Sequence, residues 1–221
     1  MQDFDTLASD IKKRVANLGK DKQLWIGIAG APGSGKSTLA RELECRLGKS
    51  SIVIPMDGYH HYRSDLDAMK NPKEAHARRG SPFTFNASKF LTDLINARKI
   101  GEGLFPSFDH NIGDPIENDI YLNSDKQIVL VEGNYLLLDD EPWCQLHQKV
   151  FDETWFLDID EAECIRRLSS RHIETGLSER QAKERAEGND SINGKLIAQV
   201  SPSNADRVIR LSNDLKLTPL Y

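Results

Sequence analysis

The sequence predicts an α/β domain in which a mostly parallel sheet is covered by helices on both faces. Three observations lead there. Buried apolar runs alternate with stretches of helical spacing. A glycine-rich turn, Gly30-Ala31-Pro32-Gly33-Ser34-Gly35-Lys36-Ser37-Thr38, directly follows one such run and opens a helix. The length, 221 residues, suits a single domain able to bury a core.

In chain order, Phe4, Leu7, Ile11, Val15 and Leu18 recur at helical spacing and Gly19 ends the run, so an amphipathic helix occupies residues 1–20. Leu24 to Ala29 is a buried strand. The turn after it fits G-x-x-x-x-G-K-[ST], whose glycines let the backbone point its N–H groups at phosphate oxygens. Lys36 offers a point charge to the β- and γ-phosphates, and Ser37 offers a hydroxyl to Mg²⁺. Leu39, Leu43 and Leu47 then share one helical face and Gly48 stops the helix, whose N-terminus faces the phosphates. The chain is expected to bind a nucleoside triphosphate.

Ser51 to Pro55 is a second buried strand, ending at Met56-Asp57-Gly58-Tyr59-His60-His61. The polar segment Arg63 to Asn86 leaves the core, and residues 58–86 are expected to serve the acceptor side. Ala87 to Arg98 returns to helical spacing through Phe90, Leu91, Leu94 and Ile95. Leu104 to Phe108 is a short strand, paired in a hairpin with Ile120-Tyr121-Leu122. Gln127 to Val131 and Glu153 to Ile159 are further strands. Ala162 to Arg171 is a helix, and a capping box at Ser178-Glu179-Arg180-Gln181 starts another that ends near Gly188. Ala205 to Leu211 is the last strand.

A net charge of −5 argues against a broad nucleic-acid surface. Three unclustered cysteines suggest neither a disulfide framework nor a zinc site. No apolar run is long enough to span a bilayer and no leader pattern is visible, so a cytoplasmic protein without membrane or nucleic-acid partners is expected. Its partner is a small molecule bearing a hydroxyl, with a homodimer as the assembly to measure.

Ligands of open parallel sheets bind at the carboxyl ends of the strands. Asp57, Asp109 and Glu132 each follow a strand and are expected to converge beside the phosphate loop. Glu132 suits a Mg²⁺ carboxylate together with Ser37, and Asp57 suits a base for a hydroxyl proton. Tyr59, His60, Arg78 and Arg79 are candidates for holding the acceptor. Arg167 and Arg171, four apart, share a helical face. From spacing alone they read most simply as a solvated basic face; the alternative is a lid that swings them onto the phosphates, with Arg166 pointing elsewhere.

With these residues in place, the chain from about Leu24 to Leu211 resembles the phosphoribulokinase, uridine kinase and pantothenate kinase group of P-loop kinases. Within it, the likeness is to the bacterial nucleoside/nucleotide kinase family, which includes fructose-transport-system kinase-like members. The carrying segments are Pro55 to His60, Arg78 to Phe85, Pro106-Ser107-Phe108-Asp109-His110, Val131 to Leu137, Arg171-His172 and Gly176-Leu177-Ser178. The resemblance implies a P-loop NTPase three-layer sandwich with lid helices across residues 162–190. It implies ATP and Mg²⁺, Lys36 and Asp57 as catalytic residues, and Glu132-Gly133 near the metal. It also makes Arg167 and Arg171 lid arginines and puts Asp109 and His110 on the acceptor side. The implied reaction is phosphoryl transfer to a hydroxyl of a nucleoside, a pantothenate-like acid or a sugar. A nucleotide-dependent regulator without such activity is the alternative, although the Asn/Thr-Lys-x-Asp guanine-reading motif of small GTPases is absent.

Overall fold

The computed structural model describes residues 3–19, 22–109 and 112–210. Helix α1 (Phe4–Ala16) starts where the Asp3 carboxylate accepts the Thr6 N–H, and β1 (Leu24–Gly30) follows. Next come α2 (Lys36–Leu47) and β2 (Ser51–Pro55). The segment expected to leave the core contains two short helices, α3 (Arg63–Ala68) and α4 (Pro72–Ala77), before α5 (Ala87–Ile100). Strands β3 (Gly103–Asp109) and β4 (Asp114–Leu122) precede β5 (Ile128–Gly133), α6 (Cys144–Lys149) and β6 (Glu153–Leu157). Helices α7 (Glu161–Glu174), α8 (Glu179–Arg185) and α9 (Ser191–Val200) lead to β7 (Arg207–Ile209).

The main sheet has the order β2-β5-β1-β6-β7 with every pairing parallel. Its central strands β5, β1 and β6 are buried along their whole length because both faces are covered. Along β1 and β5, Ile26, Ile28, Ile128 and Leu130 face a core shared with α1 and α2. Trp25, Ala29, Val129 and Val131 face the other core, built with α5 and Leu146 of α6. This alternation carries Glu132, two residues after Leu130, to the α2 side, where the phosphate loop ends.

Three expectations change. Strand β3 pairs antiparallel with β4 as the hairpin reading expects, but in a separate two-stranded sheet, so Asp109 is not at the carboxyl end of a parallel strand. The second lid helix does not stop at Gly188: a π-helical turn, Ala186–Asp190, carries it into α9. Gly188 has no positive φ, so it fits helical backbone as any residue would. Strand β6 ends at Leu157, and β7 is described only as Arg207–Ile209, with Leu211 outside the described residues. The hairpin is seated on the turn after β2, where a Cβ on Gly58 would lie 2.1 Å from the Pro106 carbonyl oxygen. Only glycine permits that approach, which brings the hairpin against the neighbour of Asp57.

Candidate active site

The phosphate loop leaves β1 at Gly30 and passes through Ala31 to Gly35 into the first turn of α2, formed by Lys36, Ser37 and Thr38. Gly33 and Gly35 adopt φ of +77° and +92°, the left-handed region that favours glycine. A Cβ on Gly30 would meet the Ser34 hydroxyl at 2.6 Å, so the loop closes on itself as tightly as backbone allows. Inside it the Ser34 Oγ is buried with no hydrogen-bond partner. A concave backbone cradle that leaves a buried polar atom unmatched fits an oxyanion ligand.

Glu132 and Asp57 stand beside the start of α2. Glu132 is 5% exposed, and burial is the main reason its carboxyl is held above the ordinary range. The Asp57 charge adds to that push, while the Lys36 ammonium and a hydrogen bond from Ser37 oppose it. A carboxylate that is costly to ionise, with a hydroxyl on it and an anion cradle alongside, suits a divalent cation. Asp57 is half-buried in the 3₁₀ turn Met56–Tyr59. His60 closes that turn, its backbone N–H and ring Nδ1–H both donating to the Asp57 carbonyl at 3.1 and 2.8 Å. The structure therefore brings Lys36, Ser37, Asp57 and Glu132 together.

The acceptor-side candidates divide. The His60 ring lies between Phe85 and Phe108, at centroid distances of 4.0 and 4.7 Å, with the Arg79 guanidinium 5.8 Å from the Phe108 ring. Arg79 also pairs with Asp114 at 3.1 Å and donates to the His61 carbonyl, which commits it to holding the hairpin. Tyr59 is 2% exposed and donates its hydroxyl to Asp93 on α5, so it packs in the core instead of facing an acceptor. Consecutive residues in a tight turn point in different directions, and His60 takes the open side. Asp109 caps the hairpin loop by accepting the Ile112 N–H at 3.2 Å. His110 lies outside the described residues. Arg78 donates from Nε to Ser81 Oγ at 3.1 Å and from Nη2 to Asn193 Oδ1 at 3.3 Å.

Helix α7 rests directly on the loop. A Cβ on Gly33 would sit 2.6 Å from the Cys164 carbonyl oxygen. Arg167 Nη1 donates to the Ser34 carbonyl at 3.3 Å, whereas Arg171 is exposed. Glu163 takes hydrogen bonds from Arg166 and Arg167, which hold its carboxyl down at about 2. Sequence reasoning missed the far side of the lid. Asn193 accepts from Ser81 and Arg78, Asn189 donates to the Arg79 carbonyl, and His172 Nε2–H donates to Asp190 at 2.8 Å. The available signal was the polar spacing of Asn189 and Asn193, four apart on one helical face.

The family described as "PRK: Phosphoribulokinase / Uridine kinase family" matches residues 25–187. The chain belongs to that family. As a phosphoribulokinase/uridine kinase family member it is a P-loop kinase, a phosphotransferase acting on small-molecule hydroxyls. It is 40% identical over 214 residues to a Schizosaccharomyces pombe protein named "Putative uridine kinase", covering 91% of each chain. It is 30% identical to the "ATP-dependent kinase YFH7" of Zygosaccharomyces rouxii, of whose length it spans 61%. Among solved structures, a "putative fructose transport system kinase" from Silicibacter sp. superposes with a TM-score of 0.83 at 30% identity, covering 95% of this chain and 100% of that one. Saccharomyces cerevisiae YFH7 superposes equally well, at 0.83, over 96% of this chain; at 22% identity it shows the shared fold. Among the described residues of this family member, no helix is long and apolar enough to cross a membrane.

Proposed function

We propose that the protein is an ATP-dependent kinase that transfers the γ-phosphate to a hydroxyl of a small molecule: a nucleoside, a pantothenate-like acid or a sugar. The observation that supports this most directly is the meeting of Lys36, Ser37, Glu132 and Asp57 beside the phosphate loop. Backbone N–H groups from Gly30 to Thr38 would hold the triphosphate, with Lys36 at its β/γ end. Ser37 and Glu132 would hold Mg²⁺, which when bound neutralises phosphate charge.

Asp57 is the base. As the acceptor oxygen bonds to the γ-phosphorus, the bond to the bridging oxygen breaks, the hydroxyl proton passes to the Asp57 carboxylate and ADP leaves. Arg167, already on the loop, and Arg171 on the same face of α7 meet the charge that develops during transfer and help exclude water. His60 in its aromatic stack forms a wall of the acceptor side. A net charge of −5 supports a small acceptor over a nucleic acid.

The test is ADP release from ATP across a panel of nucleosides, sugars and pantothenate. Release that depends on one acceptor is the expected result. Slow release indifferent to every acceptor would instead indicate a nucleotide-dependent regulator.

A further inference from the structure

A charge withdrawn from water needs a counter-charge, because hydration lost on burial is otherwise not replaced. The arginines among the described residues follow that rule with one exception. Among the described residues, the half-buried Arg14, Arg46, Arg79, Arg98, Arg167 and Arg207 each have a carboxylate oxygen within 4.0 Å. The arginines that form no ion pair there, such as Arg63 and Arg171, are exposed. Arg78 is half-buried and has no described carboxylate in that range.

Its hydrogen bonds go to neutral oxygens. Nε donates to Ser81 Oγ and Nη2 to Asn193 Oδ1, so the guanidinium is gripped from its own segment and from α9. Neither bond neutralises it, and Nη1 makes no hydrogen bond to a described residue. Arg79, the next residue, has Asp114 and the Phe108 ring and is already compensated.

The position is on the acceptor side. The Tyr135 hydroxyl, which donates to the Gly80 carbonyl, feels the charges of Arg78, Asp57 and Asp190 together. Arg78 and the candidate base therefore both act electrostatically on the same buried phenol. On the nucleotide side, Lys36 and Arg167 already face the loop.

We propose that Arg78 binds an oxyanion, a carboxylate or a phosphate, carried by the acceptor whose hydroxyl is phosphorylated. This rests on the kinase reading above and narrows it: an acid or a phosphorylated sugar fits, and a neutral nucleoside or free sugar does not. The ligand supplies the missing counter-charge through charge-assisted hydrogen bonds, the geometry at which a guanidinium excels. Ser81 and Asn193 are positioning residues that fix its fork beforehand.

The test uses the whole protein saturated with the Mg²⁺ complex of a non-hydrolysable ATP analogue, so that the phosphate loop is filled. Pairs differing by one oxyanion are then titrated: D-glycerate against glycerol, pantothenate against pantothenol, ribulose 5-phosphate against ribulose. The first two read a carboxylate and the third a phosphate. At least one charged member is expected to bind and raise the melting temperature while its neutral partner does not. Arg78→Gln should weaken that binding at least about tenfold, Arg78→Lys less, and analogue affinity should stay unchanged in both. Without ligands, Arg78→Gln should melt no lower than wild type, because an uncompensated charge has gone. The proposal is overturned if neutral members bind equally well or if no charged member binds. It is also overturned if Arg78→Gln leaves acid binding intact, weakens the analogue, or lowers the ligand-free melting temperature by several degrees. Failure of the wild type to bind the analogue at all would sink the kinase reading instead.

Discussion

Arg167 bridges its own helix and the phosphate loop, donating from Nη1 to the Ser34 carbonyl at 3.3 Å and from Nε to Glu163 at 2.7 Å. Arg166 binds the same Glu163 from the solvent side, where it is 67% exposed. The carboxylate between them stays ionised, because its partners hold it at about 2. One of two adjacent arginines is thus aimed at the nucleotide and the other is an outer brace.

Replacing these arginines singly tests the lid. Arginines that meet transferring phosphoryl groups contribute about 10³–10⁵ in kcat, and sharing between two residues makes each single loss smaller. Arg167→Ala should slow turnover about a hundredfold or more, Arg171→Ala at least about tenfold, and Arg166→Ala less than either. Melting temperatures should stay close to wild type for the exposed Arg166 and Arg171. Equal kinetic losses at all three positions would point to general electrostatics and remove the lid assignment.

Asp57→Asn keeps the side chain's shape and cannot take a proton. General-base assistance is worth about 10²–10⁴-fold, so kcat with the true acceptor should fall within that range while ATP affinity barely moves. Steady-state kinetics alongside binding of an ATP analogue would show the split. An unchanged kcat would make Asp57 a turn residue.

Glu132 links catalysis to pH. Burial raises its native carboxyl above the unfolded value, so the native state favours the protonated acid. The stability from that preference is complete below the ordinary carboxylate range and is lost as pH rises through the raised native value. Ligand-free Glu132→Gln should therefore gain on wild type as pH rises, the gap in melting temperature being wider at about pH 8 than at about pH 4. Turnover should nevertheless drop by at least about 10–100-fold, the loss typical when even a group behind a metal's own ligands is removed. A pH-independent gap would mean that Glu132 is not strained by ionisation.

Gly33→Ala probes the seat of α7. The residue has φ of +77°, and the added methyl would lie 2.6 Å from the Cys164 carbonyl oxygen. The left-handed backbone alone costs about 1–2 kcal/mol for an L-residue, and the clash adds to it. Denaturant midpoints should fall accordingly, and nucleotide binding should be lost. A midpoint like that of wild type would show that α7 does not rest on the loop.

The phosphate loop was legible because its chemistry demands particular residues at fixed offsets, and Glu132 because a carboxylate ending an apolar run stands out. Asp57 was legible for the same reason at the end of β2. The hairpin of Leu104 to Phe108 with Ile120 to Leu122 was legible, but no local pattern reports that it forms a sheet apart from the parallel one, which is why Asp109 reads as following a strand of the main sheet. Tyr59 and His60 could not be told apart, since a 3₁₀ turn decides which faces outward. The lid's second anchor left only half a signal: the spacing of Asn189 and Asn193 marks a polar face, but Ser81 and Asn193 are 112 positions apart, and no local pattern reports that contact. Gly188 then hid α9, because a glycine that serves as a helix stop elsewhere lies here inside a continuous π turn.

That turn acts as a length gauge. A π-helical turn is what a helix forms when it accommodates one extra residue. Losing one residue from Ala186–Asp190 would leave an ordinary helical turn with α9 in nearly its present phase, whereas an added residue, with the turn already in use, would rotate everything beyond it by about 100°. Asn193 would swing off Arg78 and Ser81, and Gly194, whose Cβ position lies 3.7 Å from that of Ala31, would leave the phosphate loop. The exposed face of α8 can therefore exchange side chains freely while the residue count between Ser178 and Asn193 cannot grow by one. Here chain length, more than side-chain identity, keeps the two halves of the site in phase.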